Sequence, residues 1–200
     1  EGAFYGCSNL ETVTFQENVE FIGEKAFTSC GSLRNVTLPA SLKYIGKLAF
    51  SCCTSLQVVH FPKDLDVIAV QAFYGCLSLR EFKCVDTSNG FERDDSQFKS
   101  TRRIEWNAFQ RCSNLECVDF PLALEFIGVG AFSECQALRD ISLPDTLRHI
   151  DGGAFHGCTS LGSVQFPAML SSIGVRSFGN CKSLLELRLP ESLKRIDEGT

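Results

Sequence analysis

Histidine, methionine and tryptophan are scarce in this chain, with three, one and one among 200 residues. Proton-transfer chemistry leans on histidine. None of His60, His149 and His156 has a cysteine or carboxylate at a nucleophile or metal spacing, so surface or edge positions are the simplest account of all three. A triad assembled across distant segments is the competing reading, and no motif supports it. Gly-x-Gly-x-x-Gly and Walker-type loops are absent, which leaves a nucleotide site without support. Basic charge is also short. Nineteen Lys and Arg stand against 24 Asp and Glu, for a net charge of -5 and a pI near 5.3. Phosphate backbones need a clustered basic face, so nucleic acid is not an expected partner. No apolar run approaches the roughly 18 residues of a membrane span, and no leading signal peptide is visible. No catalytic residue, metal-ligand set or cofactor is expected, and the chain reads as a non-enzyme.

Cysteine, in contrast, is plentiful and regular. Cys7, Cys30, Cys53 and Cys76 are 23 residues apart, and Cys112, Cys135, Cys158 and Cys181 resume that step after one interval of 36. The long interval is 23 plus 13. Phe4, Phe27, Phe50, Phe73, Phe109, Phe132, Phe155 and Phe178 keep the same step, and all six prolines share one column. A fixed period in this range marks a stacked array in which each repeat buries its apolar side against the next. Residues 1–200 are therefore expected to form one elongated domain of about eight 23-residue repeats. The chain begins and ends in mid-repeat without polar caps, so a fragment of a longer protein is expected, with ends open to self-association.

The unit "LRNVTLPASLKYIG", from Leu33 to Gly46, predicts how each coil is built. Leu33, Val36 and Leu38 are apolar with Thr37 polar between the last two, the alternation of a half-buried strand. Pro39 cannot donate a ladder hydrogen bond and should end that strand. Leu42 and Ile45 suit a short return strand, and Gly46 suits a turn with positive φ. Gly23, Gly128 and Gly174 share that column, with Asp151 and Asp197 as substitutes and Glu105 as a departure. In the opening "AFYGC", Ala3, Cys7 and Leu10 lie at helical spacing, which predicts a short helical turn with Ala, Phe and Cys inward. The expected fold is a repeat solenoid: a right-handed coil with a parallel β-sheet face, short return strands and short helical turns. The last face position reads Phe15, Leu38, Phe61, Cys84, Phe120, Leu143, Phe166, Leu189. Large and smaller side chains alternate there, as close packing within one stack requires.

The pattern of Leu33 to Cys53, with its Pro, Ile-Gly and Ala-Phe-Cys columns, resembles the leucine-rich repeats of the BspA-like type. The resemblance covers essentially the whole chain outside residues 85–103 and implies a leucine-rich-repeat solenoid. It also implies binding or adhesion, often at the surfaces of bacteria and protists, and brings no catalytic residues.

Three readings compete for the cysteine column. Zinc ligation needs two to four residues between paired ligands, which a 23-residue ladder does not offer. Disulfides between stacked neighbours need a particular dihedral geometry, and eleven is an odd number. The favoured reading makes each thiol a small buried hydrophobe. For binding, the strand face presents Thr14, Thr37, His60, Lys83, Asp119, Ser142, Gln165 and Arg188 outward, with no aromatic stripe. His60, Lys83, Asp119, Gln165 and Arg188 are the candidate face contacts. The insertion "VDTSNGFERDDSQFKSTRR", residues 85–103 of the fourth repeat, should form a projecting loop. Its candidate contacts are Phe91, Glu92, Arg93, Asp94, Asp95, Phe98, Arg102 and Arg103. A tolerated insertion is the alternative, since loop length costs little entropy. A glycosylation sequon, "NVT" at Asn35, is weak evidence of secretion. The function expected is a non-enzymatic protein- or glycan-binding or adhesion scaffold, with a structural spacer or self-assembling surface component as the rival.

Overall fold

The computed structural model describes residues 1–62, 65–85, 102–194, 196, 197 and 199. In chain order its strands begin with β1 (Phe21–Ile22), β2 (Asn35–Thr37), β3 (Tyr44–Ile45), β4 (Val58–Pro62), β5 (Val67–Ile68), β6 (Glu81–Val85) and β7 (Arg103–Ile104). They continue with β8 (Cys117–Val118), β9 (Phe126–Ile127), β10 (Asp140–Ser142), β11 (His149–Ile150), β12 (Ser163–Gln165), β13 (Ser172–Ile173) and β14 (Glu186–Arg188). Odd strands are the return strands, and they form one seven-stranded sheet in the order β1-β3-β5-β7-β9-β11-β13. Even strands make the face, divided into β2-β4-β6-β8 and β10-β12-β14. Every pairing is parallel. Register follows the repeat: Val59 lies beside Phe82 and Ile45 beside Ile68. Across the long interval Ile68 still pairs with Ile104, so the return sheet runs on uninterrupted.

These elements arise because each coil supplies one apolar set facing a shared interior. Leu33, Val36, Leu38, Leu42, Ile45, Ala49, Phe50 and Cys53 are all buried, and their counterparts repeat down the array. Full burial of one such Val, Leu, Ile or Phe side chain contributes about 1.5–3 kcal/mol. The proline column closes face strands as expected, although Pro62 is itself the last residue of β4, with Val85 in its register place on β6.

The corner differs from the expected helical turn. Its residues make successive i to i-3 bonds, such as Cys30 N–H to the Phe27 carbonyl and Leu33 N–H to that of Cys30, at 3.2 and 3.1 Å. Two left-handed residues interrupt each corner, for example Leu48 and Cys52 with φ of 58° and 59°. That geometry turns alternate N–H groups toward the following coil. Leu48, Phe50 and Cys52 donate to the carbonyls of Val70, Ala72 and Tyr74 at 3.0, 2.8 and 2.7 Å. A continuous helix would direct those donors into itself. The inward placement of Ala, Phe and Cys holds all the same.

The glycine column also has a different cause. Gly46 does not have positive φ. A β-carbon there would lie 2.7 Å from the Gly23 carbonyl carbon and from the Ile22 oxygen, so close stacking of consecutive coils excludes a side chain.

Two side-chain ladders run through the interior. Consecutive column phenylalanines from Phe4 to Phe178 stack with centroids 5.0–5.3 Å apart and planes within 3–12°. Beside them the thiols of Cys30, Cys53, Cys76, Cys112, Cys135, Cys158 and Cys181 each donate to the carbonyl of the preceding coil's phenylalanine at 3.1–3.3 Å. All eleven cysteines are free thiols. The size alternation has a local reason at Cys84. Phe82, two residues earlier, stacks on Phe61 at 4.4 Å and meets Phe73 and Phe109 edge-on at 5.4 and 4.8 Å.

Candidate functional site

The face strands expose alternate residues because their middle residues point inward. In β2, β10 and β12 the pattern is exposed, buried, exposed. His60 on β4 and Lys83 on β6 are register neighbours, as are Gln165 on β12 and Arg188 on β14. Asp119 follows β8 and accepts the Cys84 N–H at 3.2 Å. Lys83 sits 2.8 Å from Glu81, whose hydrogen bond and charge raise its pKa, and Arg188 sits 2.8 Å from Glu186. Exposed pairs of this kind are screened by water and contribute little to stability, so they orient side chains more than they stabilise the fold.

Two shallow depressions mark the face. One, of about 410 Å³, is lined by Ser163, Val164, Gln165, Phe166, Glu186 and Arg188. The other, of about 180 Å³, lies at the entering edge among Glu11, Ser32, Arg34, Ser55, Gln57 and Ser78. Gln165 and Arg188 are thus brought together in one depression, while the break between β8 and β10 separates them from His60, Lys83 and Asp119.

Of the insertion contacts, Phe91, Glu92, Arg93, Asp94, Asp95 and Phe98 lie outside the described residues. Arg102 and Arg103 belong to the return side. Arg102 pairs with Glu125 at 3.2 Å, and Arg103 pairs with Glu105 at 2.9 Å while its guanidinium lies 3.9 Å above the Phe126 ring. Arg103 continues a column that following only the face misses: Phe21, Tyr44, Val67, Arg103, Phe126, His149, Ser172. Phe21 and Tyr44 stack at 4.8 Å, and the Nδ1 of His149 is 2.9 Å from the Ser172 hydroxyl. Beside this ridge Trp106 is 55% exposed. The signal was present in the sequence, since this column keeps the same 23-residue step one place before the return-strand isoleucines.

Among the described residues no group of three or more His, Cys, Asp or Glu is arranged to hold a metal ion. Burial pushes the inner thiols up, well above the usual range at Cys76 and Cys135 and to about 11 at Cys181. Protonated, enclosed thiols are poor nucleophiles. Burial likewise raises Asp151, opposed by Arg103 and His149. Among the described residues no helix is long and apolar enough to cross a membrane.

Comparison with known proteins agrees with this architecture. The model of the BspA type leucine rich repeat region matches residues 1–102 and 95–200, in six copies. A crystal structure of a leucine-rich repeat protein from T. pallidum is 31% identical, with a TM-score of 0.69, covering 78% of this chain and 70% of that one. A leucine-rich repeat protein from Eubacterium ventriosum is 27% identical with a TM-score of 0.68, and the match covers 82% of this chain. This chain spans only 40% of that protein's length. A search of curated proteins finds no match. With both halves matched by the family model, a 23-residue coil in parallel register and solved relatives of the same fold, the chain belongs to the BspA type leucine-rich repeat family.

Proposed function

We propose that this array is a non-enzymatic adhesion or binding scaffold at a cell surface, presenting its strand face and charged insertion to a protein or glycan partner. Leucine-rich repeat families are generally scaffolds for interaction, which gives the coarse reading its footing. The observation that carries the finer one is the burial pattern of the face. Inward residues such as Val36 and Val59 supply the packing, so the outward His60, Lys83, Asp119, Gln165 and Arg188 are released from core duty. Changing them alters what a partner meets without altering the coil.

The test is capture from native lysate and medium by three forms: the intact array, Lys83→Glu with Gln165→Glu, and a version lacking Asp86 to Phe98. That deletion removes 13 residues and restores the regular step. Protease or glycosidase treatment of the captured material separates a protein from a glycan. Loss of a captured partner from either variant, with unfolding unchanged, supports the reading. Equal capture by all three forms, or none by any, sinks it.

A further inference from the structure

The two sides of the coil are not equally continuous. The return sheet passes through all seven of its strands, whereas the face sheet stops at β8 and starts again at β10. β8 and β10 lie side by side but form no paired ladder. The step that links other coils there, as in Arg80 N–H to the Gln57 carbonyl at 2.8 Å or Gly162 N–H to that of Arg139 at 2.8 Å, is missing between Arg139 and Glu116. The core beneath is covered, though less completely than in the four-stranded block. Phe120, Ile141 and Leu143 are 9%, 5% and 7% exposed, whereas Val59 and Phe61 in the four-stranded block are 0%.

The spine behind the break is intact. Phe109 stacks on Phe132 at 5.0 Å, Cys135 donates to the Phe109 carbonyl at 3.2 Å, and Ile104 pairs with Ile127. Corner bonds from Phe109 and Arg111 to Ala131 and Ser133 cross the same junction at 2.7 and 2.8 Å.

From this asymmetry we infer that the β8–β10 junction is a hinge, at which the four-stranded and three-stranded face blocks open and close about the continuous return sheet and the Phe and Cys columns. Bending there changes no spine hydrogen bond and parts no face ladder; it is resisted only at the margins, by Ala137 N–H to the Ser113 carbonyl at 3.0 Å and the Thr146 hydroxyl to the Leu122 carbonyl at 2.7 Å. The motion alters the span between the His60–Lys83 and Gln165–Arg188 pairs. It is a property of the chain alone and does not depend on any partner.

The test compares two pairs of spin labels on the purified protein, attached through ketone side chains so that the native thiols are left alone. Thr37 and Gln165 report across the junction on the face, and Tyr44 and Ser172 span the same two coils on the return side. A hinge gives a broad or two-peaked distance distribution for the face pair and a narrow one for the return pair. Amide hydrogen exchange on the unlabelled chain supplies the local reading. Those amides of 139–143 that face β8 should exchange on the order of tenfold or more faster than the amides of 58–61, because β10 is paired on one side only whereas β4 is paired on both. Equal widths for the two label pairs, or equal protection of the two segments, overturns the hinge.

Discussion

Gly46 shows how little slack a stacked coil leaves at single positions. A methyl there would press on the backbone of the preceding coil at 2.7 Å, and backbone cannot rotate aside as a side chain can. Gly46→Ala should therefore lower stability by about 1–3 kcal/mol, the usual cost of overpacking. At Gly31 the nearest contact of a β-carbon is the Thr54 hydroxyl at 3.7 Å, so Gly31→Ala should be neutral or slightly stabilising. Urea unfolding of the two variants decides it, and equal losses would refute the close-approach account. Ser177 makes the opposite case. It occupies the column of Ala108, Ala131 and Ala154, fully buried, and its hydroxyl has no hydrogen-bond partner among the described residues. Ser177→Ala should raise stability by roughly 1 kcal/mol, because a desolvated, unpaired hydroxyl is removed. A lower urea midpoint would mean that the hydroxyl has a partner after all.

The thiol ladder acts as an element, because one fold of backbone sets each of its seven cysteines, from Cys30 to Cys181, against the same carbonyl of the preceding coil. Burial is the first cause of the raised pKa at Cys53, Cys76, Cys112, Cys135, Cys158 and Cys181. In the unfolded chain the same groups ionise near the ordinary value of 9.0. Their contribution to stability is therefore complete below about pH 9 and is lost as pH rises toward each folded value, about 11 for Cys181. Each such thiol steepens the decline by about 1.4 kcal/mol per pH unit. Urea midpoints should be flat up to the thiol range and fall steeply above it, and Cys135→Ser, whose hydroxyl does not ionise there, should flatten the fall by one thiol's share. An unchanged slope would show that other groups control the alkaline limb. The ladder also shows what was legible in the sequence. Column positions foretold which side chains point inward, since the period is the stacking rule itself. They could not foretell the carbonyl that each thiol meets. That depends on the left-handed residue of each corner, which is glycine at Gly6, Gly75 and Gly157 but Ser29, Cys52, Arg111, Glu134 and Asn180 elsewhere, so no single residue type marks it. For the same reason the corner was expected as a helical turn and Gly46 as a positive-φ residue. The return ridge of Arg103 and Phe126 was overlooked although its column was in view, and the break after β8 has no marker in composition because it depends on backbone pairing alone.

Stability in a stacked array is close to a sum of coil terms and nearest-neighbour interface terms. Neighbours here are matched by size as well as by hydrophobicity, which makes the sum sensitive to parity. In the last face column Phe15, Leu38, Phe61 and Cys84 alternate, and the rings turn edge-on or stack within the space that the smaller residues leave, as Phe15 does with Phe27 at 5.8 Å and Phe61 with Phe82 at 4.4 Å. Excising residues 24–46, one 23-residue step, joins Gly23 to Lys47 and keeps every other column in register, yet it sets Phe15 directly beside Phe61. Two rings then compete for a space built for one, at a cost of about 1–3 kcal/mol beyond the lost coil. Excising residues 24–69 removes 46 and sets Phe15 beside Cys84, which restores the alternation. Removal of two coils should consequently cost less than twice the removal of one, measured by urea unfolding of the three lengths. A strictly proportional loss would mean that the column tolerates any order of sizes and that only the number of coils matters. A shortfall below proportion would identify the pair of coils, rather than the single 23-residue unit, as the physical repeat of this molecule.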